Sequence, residues 1–234
     1  MRENIGASLR AGFPIFIGYV PAAVAFGILA KSCDLTLLEC FLFSAMVFAG
    51  ASQFIALNLL VTGMGAVGII LTTLLVNFRH LLMSASLATR LKGVSRPYFF
   101  PMAFGITDEV FSVLSFTRGS LSKTYVLLVE LLAYSAWVGG SVAGYILGGF
   151  LPDILSKSMG VALYALLLAI LMPEVKASFR ALILAVSGGL LNTWLIHLDI
   201  LPRGWTIIVC ILIVAYMGSL SMVPQKEEKQ GDAL

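Results

Sequence analysis

Gly12-Phe13-Pro14-Ile15-Phe16-Ile17-Gly18-Tyr19-Val20-Pro21-Ala22-Ala23-Val24-Ala25-Phe26-Gly27 passes through sixteen residues without a charge. A helix rises about 1.5 Å per residue, so about 20 mostly apolar residues cross about 30 Å of hydrocarbon. Reading from charge to charge, the run around this stretch covers 12–31, and similar runs follow at 36–61, 65–84, 98–117, 124–148, 158–173, 179–198 and 204–223. The chain is therefore expected to be all-α and polytopic, with seven or eight helical membrane segments. Backbone amides in hydrocarbon need internal partners, so each segment must be helical or shielded by other helices. Long continuous runs argue against a β-barrel, whose strands alternate polar and apolar residues. Prolines inside the first run, and an equally apolar remainder, argue against a cleaved signal peptide. No linker divides 1–223, which reads as a single transmembrane domain, and 224–234 reads as a polar tail.

Composition supports this class. Of 234 residues, 59% are apolar and only 12% charged, about half the charged share of a soluble domain. Mean hydropathy is +0.99. A soluble fold of this size could not hide so much apolar surface. A cytosolic enzyme, a disordered chain and a disulfide scaffold are all excluded. The net charge of +3 comes from scattered basic residues, so nucleic acid is not an expected partner. Cys33, Cys40 and Cys210 form no metal spacing and read as buried apolar groups. No metal and no cofactor are expected.

The strongest basic cluster is Arg79, Arg90, Lys92 and Arg96, and the N-terminus carries Arg2 and Arg10. The positive-inside rule puts both in the cytoplasm. Three segments separate them, so one must fail to cross. The best candidate is 36–61, where Ala49-Gly50-Ala51-Ser52-Gln53 interrupts the run and a re-entrant hairpin would restore parity.

Intramembrane ionisable residues are costly and mark functional positions. Asp108 and Glu109 fall in the middle of 98–117. Two carboxylates there cost about 5–7 kcal/mol on insertion scales, and ten apolar neighbours return about 3–6 kcal/mol. Such a segment must face a bundle interior or a cavity, or hold a proton. Asp108, Ser112 and Ser115 share one helical face, and Glu109 points about 100° away toward a different partner. The pair is either a proton-coupling site or a structural ion pair with Arg79 or Arg118.

Other motifs leave similar alternatives. Pro21 frees a carbonyl near Ile17, and Gly18 beside it favours unwinding. The result is either a substrate site of the broken-helix type or a packing kink. Gly50, Ser52 and Gln53 form a second small-residue break, which could approach a ligand or another helix. In Asn77-Phe78-Arg79-His80, Arg79 could clamp a carboxylate and His80 titrates near neutral pH, or the pair snorkels to headgroups. Ser187-Gly188-Gly189 and Asn192 echo the glycine-then-amide pattern. Glu130 and His197 lean structural, and Trp137, Trp194 and Trp205 read mostly as interface anchors. Nothing supports catalysis: Ser52 lacks a nucleophile-elbow context, and there is no P-loop.

Four stretches carry a resemblance. Gly12-x-Pro14-Ile15-x-x-Gly18-Tyr19-x-Pro21 with Ala25-Phe26-Gly27-x-Leu29-Ala30 resembles the opening of the AzlC/BrnF family of branched-chain amino-acid exporters. Phe48-Ala49-Gly50-Ala51-Ser52-Gln53-Phe54, Asn77-Phe78-Arg79-His80-Leu81-Leu82 and Thr107-Asp108-Glu109-x-Phe111 resemble it in the same order. The resemblance implies the large permease subunit of an exporter, paired with a small membrane subunit of the AzlD/BrnE type in a prokaryotic plasma membrane. It implies proton-driven export of valine, leucine and isoleucine, with methionine a further candidate cargo. On that reading Gly18, Tyr19, Pro21, Gly50, Ser52, Gln53, Asn77 and Arg79 would bind substrate, and Asp108, Glu109 and His80 would couple protons. A non-transporting scaffold or assembly subunit is the alternative, and the oligomeric state is open.

Overall fold

The structure, a computed structural model, describes residues 5–91, 94–117, 121–150, 168, 171–172, 175–176, 178–198 and 205–221. The described residues form helices without strands, in two compact units, Met1–Leu171 and Met172–Leu234. The chain is a multi-pass, all-α membrane protein. The first unit holds α1 (Ile5–Ser32), α2 (Leu37–Met46), α3 (Gly50–Val61), α4 (Ala66–Ala88), α5 (Phe99–Phe104), α6 (Asp108–Phe116) and α7 (Lys123–Gly148). The second holds α8 (Phe179–Leu198) and α9 (Trp205–Ser221). Among the described residues α1, α4, α7 and α8 are long and apolar enough to cross a membrane. The run expected at 158–173 and the tail 224–234 lie largely outside the described residues.

The frame of the first unit is the contact between α1 and α7. Gly12 packs on Val129 and Leu132, Gly27 on Gly144 and Tyr145, and Gly148 on Ile28 and Lys31. The numbers rise together, so the two helices are parallel. A Cβ on Gly27 would fall 2.0 Å from the Ser141 carbonyl oxygen, and one on Gly144 would fall 2.1 Å from that of Val24. Lipid supplies no hydrophobic drive between helices, so close backbone contact through small residues does the holding.

This frame overturns one expectation. No unwinding occurs at Gly18–Pro21: α1 is helical throughout, with Pro14 and Pro21 inside it. Pro21 is exposed on the outer side of the helix, as is Ile17. A proline inside a helix costs about 3 kcal/mol, and packing of α7 along the length of α1 offsets it.

Two other runs do break, 36–61 as expected and 98–117 in addition, and both are re-entrant. Thr36 caps α2, its side chain taking the Glu39 amide while Glu39 takes that of Thr36. Beside α7, the Tyr145 hydroxyl donates to the Leu35 carbonyl (2.8 Å) and the Tyr134 hydroxyl to the Ala45 carbonyl (2.9 Å). Thus α2 runs against α7 from its C-terminal end to its middle. Helix α3 starts at Gly50, over Trp137, and leads by a short turn into α4. Asn77 of α4 lies beside Ser52, and Arg90, past its end, reaches the carbonyls of Leu114 and Thr117. Thr117 meets Tyr125 in the first turn of α7. Helix α4 therefore descends toward the N-terminal end of α7, and α3 returns to the end from which α2 came. The break itself lies at Val47–Ala49, so Gly50–Gln53 is the first turn of α3 rather than unwound chain.

The second hairpin enters from the opposite end. Tyr98 lies under Lys123 (4.8 Å to the ring centre), and Phe104 meets the Tyr134 ring at 6.0 Å. After Gly105 the chain turns back as α6 and finishes at Thr117 beside Tyr125. The two tips touch, with the Phe48 and Phe104 rings 6.4 Å apart. The sequence pointed to one non-crossing segment, and the described residues hold two. Both half-helix pairs are too short to span: the 12 residues of α3 reach about 18 Å against about 30 Å of hydrocarbon.

In the second unit α8 and α9 meet through small residues, with Gly188 facing Val214 and Gly218 facing Leu184. An apolar groove between them is lined by Gly188, Gly189, Asn192 and Cys210. Trp194 and Trp205 are exposed. His197 is exposed.

Candidate functional site

The hairpin tips end in two helix N-termini. At α6, Thr107 is the N-cap and its hydroxyl accepts from the Val110 amide. Asp108 and Glu109 fill the first turn, where the helix dipole favours negative charge. At α3, Ala49 is the N-cap and gives no side-chain hydrogen bond. The first amides of α3 therefore keep their positive end open. Gly50 allows this packing, since a Cβ there would fall 2.6 Å from the Trp137 ring.

Between the tips, α1 and α4 lies a cavity of about 270 Å³. One wall is aromatic: Tyr19, Phe48, Phe54 and Trp137. Tyr19 meets Trp137 edge-on at 5.6 Å, and Phe48 meets Tyr134 at 5.3 Å, a geometry that suits the ring quadrupoles. The other wall is polar: Arg79, His80, Thr107, Asp108 and Glu109.

Asp108 Oδ2 is 2.7 Å from Arg79 Nη1, and both side chains stay partly open, at 46% and 43% exposure. Glu109 turns instead to α1, where its Oε2 lies 2.5 Å from the Tyr19 hydroxyl. Thr107 Oγ1 is 2.7 Å from the same hydroxyl. A phenol has one proton, and the carboxylate is the stronger acceptor. The adjacent carboxylates thus reach different partners, as their 100° offset implied.

Of the residues expected to bind substrate, the cavity brings together Gly18, Tyr19, Gly50 and Arg79, along with Asp108, Glu109 and His80. Four are not on its wall. Pro21 faces away. Gln53 is fully buried, its amide donating to the carbonyls of Phe43 and Val47 (2.7 and 2.6 Å) and its oxygen accepting from Trp137 Nε1 (2.8 Å). It ties the end of α2 to α3 and α7. Ser52 donates to the Ala49 carbonyl and accepts from Asn77 Nδ2, so these two brace the tip from behind. Trp137 is the reverse case: it is 4% exposed and forms the cavity wall rather than an interface anchor. Phe48, Phe54 and Thr107 were missed as site residues. For Phe48 and Thr107 the available signal was their place beside the two breaks.

A family model described as AzlC protein matches residues 14–151, which contain the whole cavity. An uncharacterised membrane protein of Archaeoglobus fulgidus is 38% identical over 181 residues, 76% of this chain and 78% of that protein. A Bacillus subtilis protein named branched-chain amino acid transport protein AzlC is 30% identical over 157 residues, covering 64% of this chain and 61% of its own. The Escherichia coli inner membrane protein YgaZ is 32% identical over 177 residues, 73% of this chain and 71% of its own. No solved structure matches.

Proposed function

This chain belongs to the AzlC family, and from that membership and its central cavity we propose that it is a secondary transporter exporting branched-chain amino acids. The observation that carries the reading is the partly open Arg79–Asp108 pair facing an aromatic wall. A zwitterion is the ligand that can enter an ion pair without changing its net charge. The cargo carboxylate takes Arg79 and the open amides of α3, a combination suited to anions. The cargo ammonium takes Asp108. A branched side chain lies against Phe48, Phe54 and Trp137. The cavity sits at the lower edge of the about 300–1,000 Å³ usual for small-molecule sites, which suits a single amino acid. Valine, leucine and isoleucine fit this chemistry, and so does the unbranched apolar chain of methionine.

Tips entering from opposite ends give such a site two gates, and half-helix termini at mid-depth are how other transporters hold ions and substrates. Export is driven by protons on this reading. Asp108, Glu109 and His80 are the acidic and imidazole groups on the cavity wall, and Asp108 answers to cargo directly through its exchange with Arg79. A small membrane subunit of the AzlD/BrnE type accompanies the chain in a prokaryotic inner membrane, the location in the name of the E. coli relative.

Counterflow tests the reading. Proteoliposomes carrying the chain and a small subunit, loaded with unlabelled valine, are expected to take up labelled valine transiently above equilibrium. Equal uptake with and without internal valine contradicts it and favours a non-transporting assembly subunit.

A further inference from the structure

Among the described residues, a buried carboxyl outside the cavity is left without a role. Glu130, on α7, is 4% exposed, and its Oε1 has no hydrogen-bond partner. It sits directly behind the tip of the α5–α6 hairpin. A Cβ on Gly105 would fall 2.7 Å from Glu130 Cδ, so the glycine in the break is what makes room for the carboxyl. Met102 and Ile106, on either side of Gly105, and Val126, one turn back on α7, belong with Val110 to one buried apolar core.

No cation reaches it among the described residues. On α1, Arg10 is exposed and Lys31 lies over the Tyr145 ring. On α2, Glu39 is bound to Thr36. On α6, Asp108 holds Arg79 and Glu109 holds Tyr19. Lys123 of α7 lies over Tyr98, and Arg90 is spread across the carbonyls that end α6. An ionised carboxylate in such surroundings is strongly disfavoured.

We propose that Glu130 is a proton-binding site of the transport cycle, filled when the α5–α6 tip is seated and emptied when the tip moves away. This rests on the transporter reading above. With the tip seated, the carboxyl keeps its O–H bond. When the tip withdraws and water enters, that bond breaks, the proton passes to water and a carboxylate remains. The tip cannot reseat over the bare charge, so a proton must first be taken from water. Asp108 and Glu109 lie three and four residues beyond Gly105 on the same tip. Cargo and proton therefore bias one mobile element, which is what coupling requires.

The test uses the chain with a small subunit in proteoliposomes. Glu130→Gln is expected to keep valine counterflow and to lose pH-gradient-driven accumulation by about 5–150-fold, the usual range of coupling. Glu130→Asp is expected to keep accumulation with a displaced pH profile. Undiminished accumulation in Glu130→Gln overturns the proposal, as does parallel loss of counterflow in a variant with the wild-type melting temperature. Should Glu130→Gln fail to fold, dicyclohexylcarbodiimide on the wild-type chain decides. Its C=N bond adds the O–H of a protonated carboxyl, so an adduct at Glu130 that slows as pH rises is expected. No adduct at any pH overturns the proposal. Absent wild-type counterflow would instead defeat the transporter reading, and the carbodiimide result would still decide whether Glu130 holds a proton.

Discussion

Arg79→Gln is expected to weaken valine binding by about 10–150-fold while barely changing the melting temperature. A hydrogen bond to a charged group contributes about 1.5–3 kcal/mol, and about 1.4 kcal/mol is a factor of ten. Glutamine keeps a polar, uncharged donor but is two atoms shorter, and it loses the charge and the forked donor that holds a carboxylate. Stability changes little because Arg79 and Asp108 are 43% and 46% exposed, and open pairs contribute about 0–1 kcal/mol. Arg79→Lys keeps the charge but not the fork, so it should fall between the two. Saturation binding of labelled valine to the purified complex, beside a melting curve, separates affinity from stability.

Gly144→Ala, like Gly27→Ala, is expected to be among the most damaging single-methyl changes in the first unit. The new Cβ would sit 2.1 Å from the Val24 carbonyl oxygen and 2.7 Å from the Val24 Cα. Both are backbone atoms, so no rotamer can relieve the clash and α1 must move off α7. Overpacking of this kind costs about 1–3 kcal/mol or more, which in a chain of this size lowers the melting temperature by about 2–12 °C. Transport should fall further than stability, because Tyr19 on α1 and Trp137 on α7 meet edge-on at 5.6 Å in the aromatic wall of the cavity. Gly139→Ala on the same helix is the control: its Cβ meets nothing within 4 Å, and alanine is the better helix former by about 1 kcal/mol. It should be neutral or slightly stabilising.

These expectations separate what the sequence could reveal from what it could not. Run length and charge spacing were sufficient for the helical class, because hydrocarbon thickness sets segment length. The interruption at Ala49–Gln53, which adjoins the break at Val47–Ala49, and the odd pairing of Asp108 with Glu109 were also visible, since small residues and charges stand out against apolar runs. Three readings went astray, each because a partner distant in sequence decided the outcome. Pro21 should unwind an isolated helix, but α7 packs along α1 through Gly27 and Gly144 and keeps it whole. Gln53 has the chemistry of a ligand contact, yet the C-terminal end of α2 takes both amide protons and the indole of Trp137 binds its oxygen. Trp137 looked like an interface anchor because its hydrogen-bond acceptor lies 84 residues away. The second re-entrant hairpin was hidden for a related reason: only the pairings of Tyr98 with Lys123 and Thr117 with Tyr125 show that α6 returns to the end where α5 began.

The central claim is that the Arg79–Asp108 pair opens around a zwitterion. It is tested most directly by competition against valine counterflow with two truncated analogues. Isobutylamine keeps the ammonium and lacks the carboxylate; isovalerate keeps the carboxylate and lacks the ammonium. Leucine and isoleucine are expected to compete, and neither analogue is expected to do so at matched concentration. Inhibition by either analogue as strong as that by leucine would contradict it.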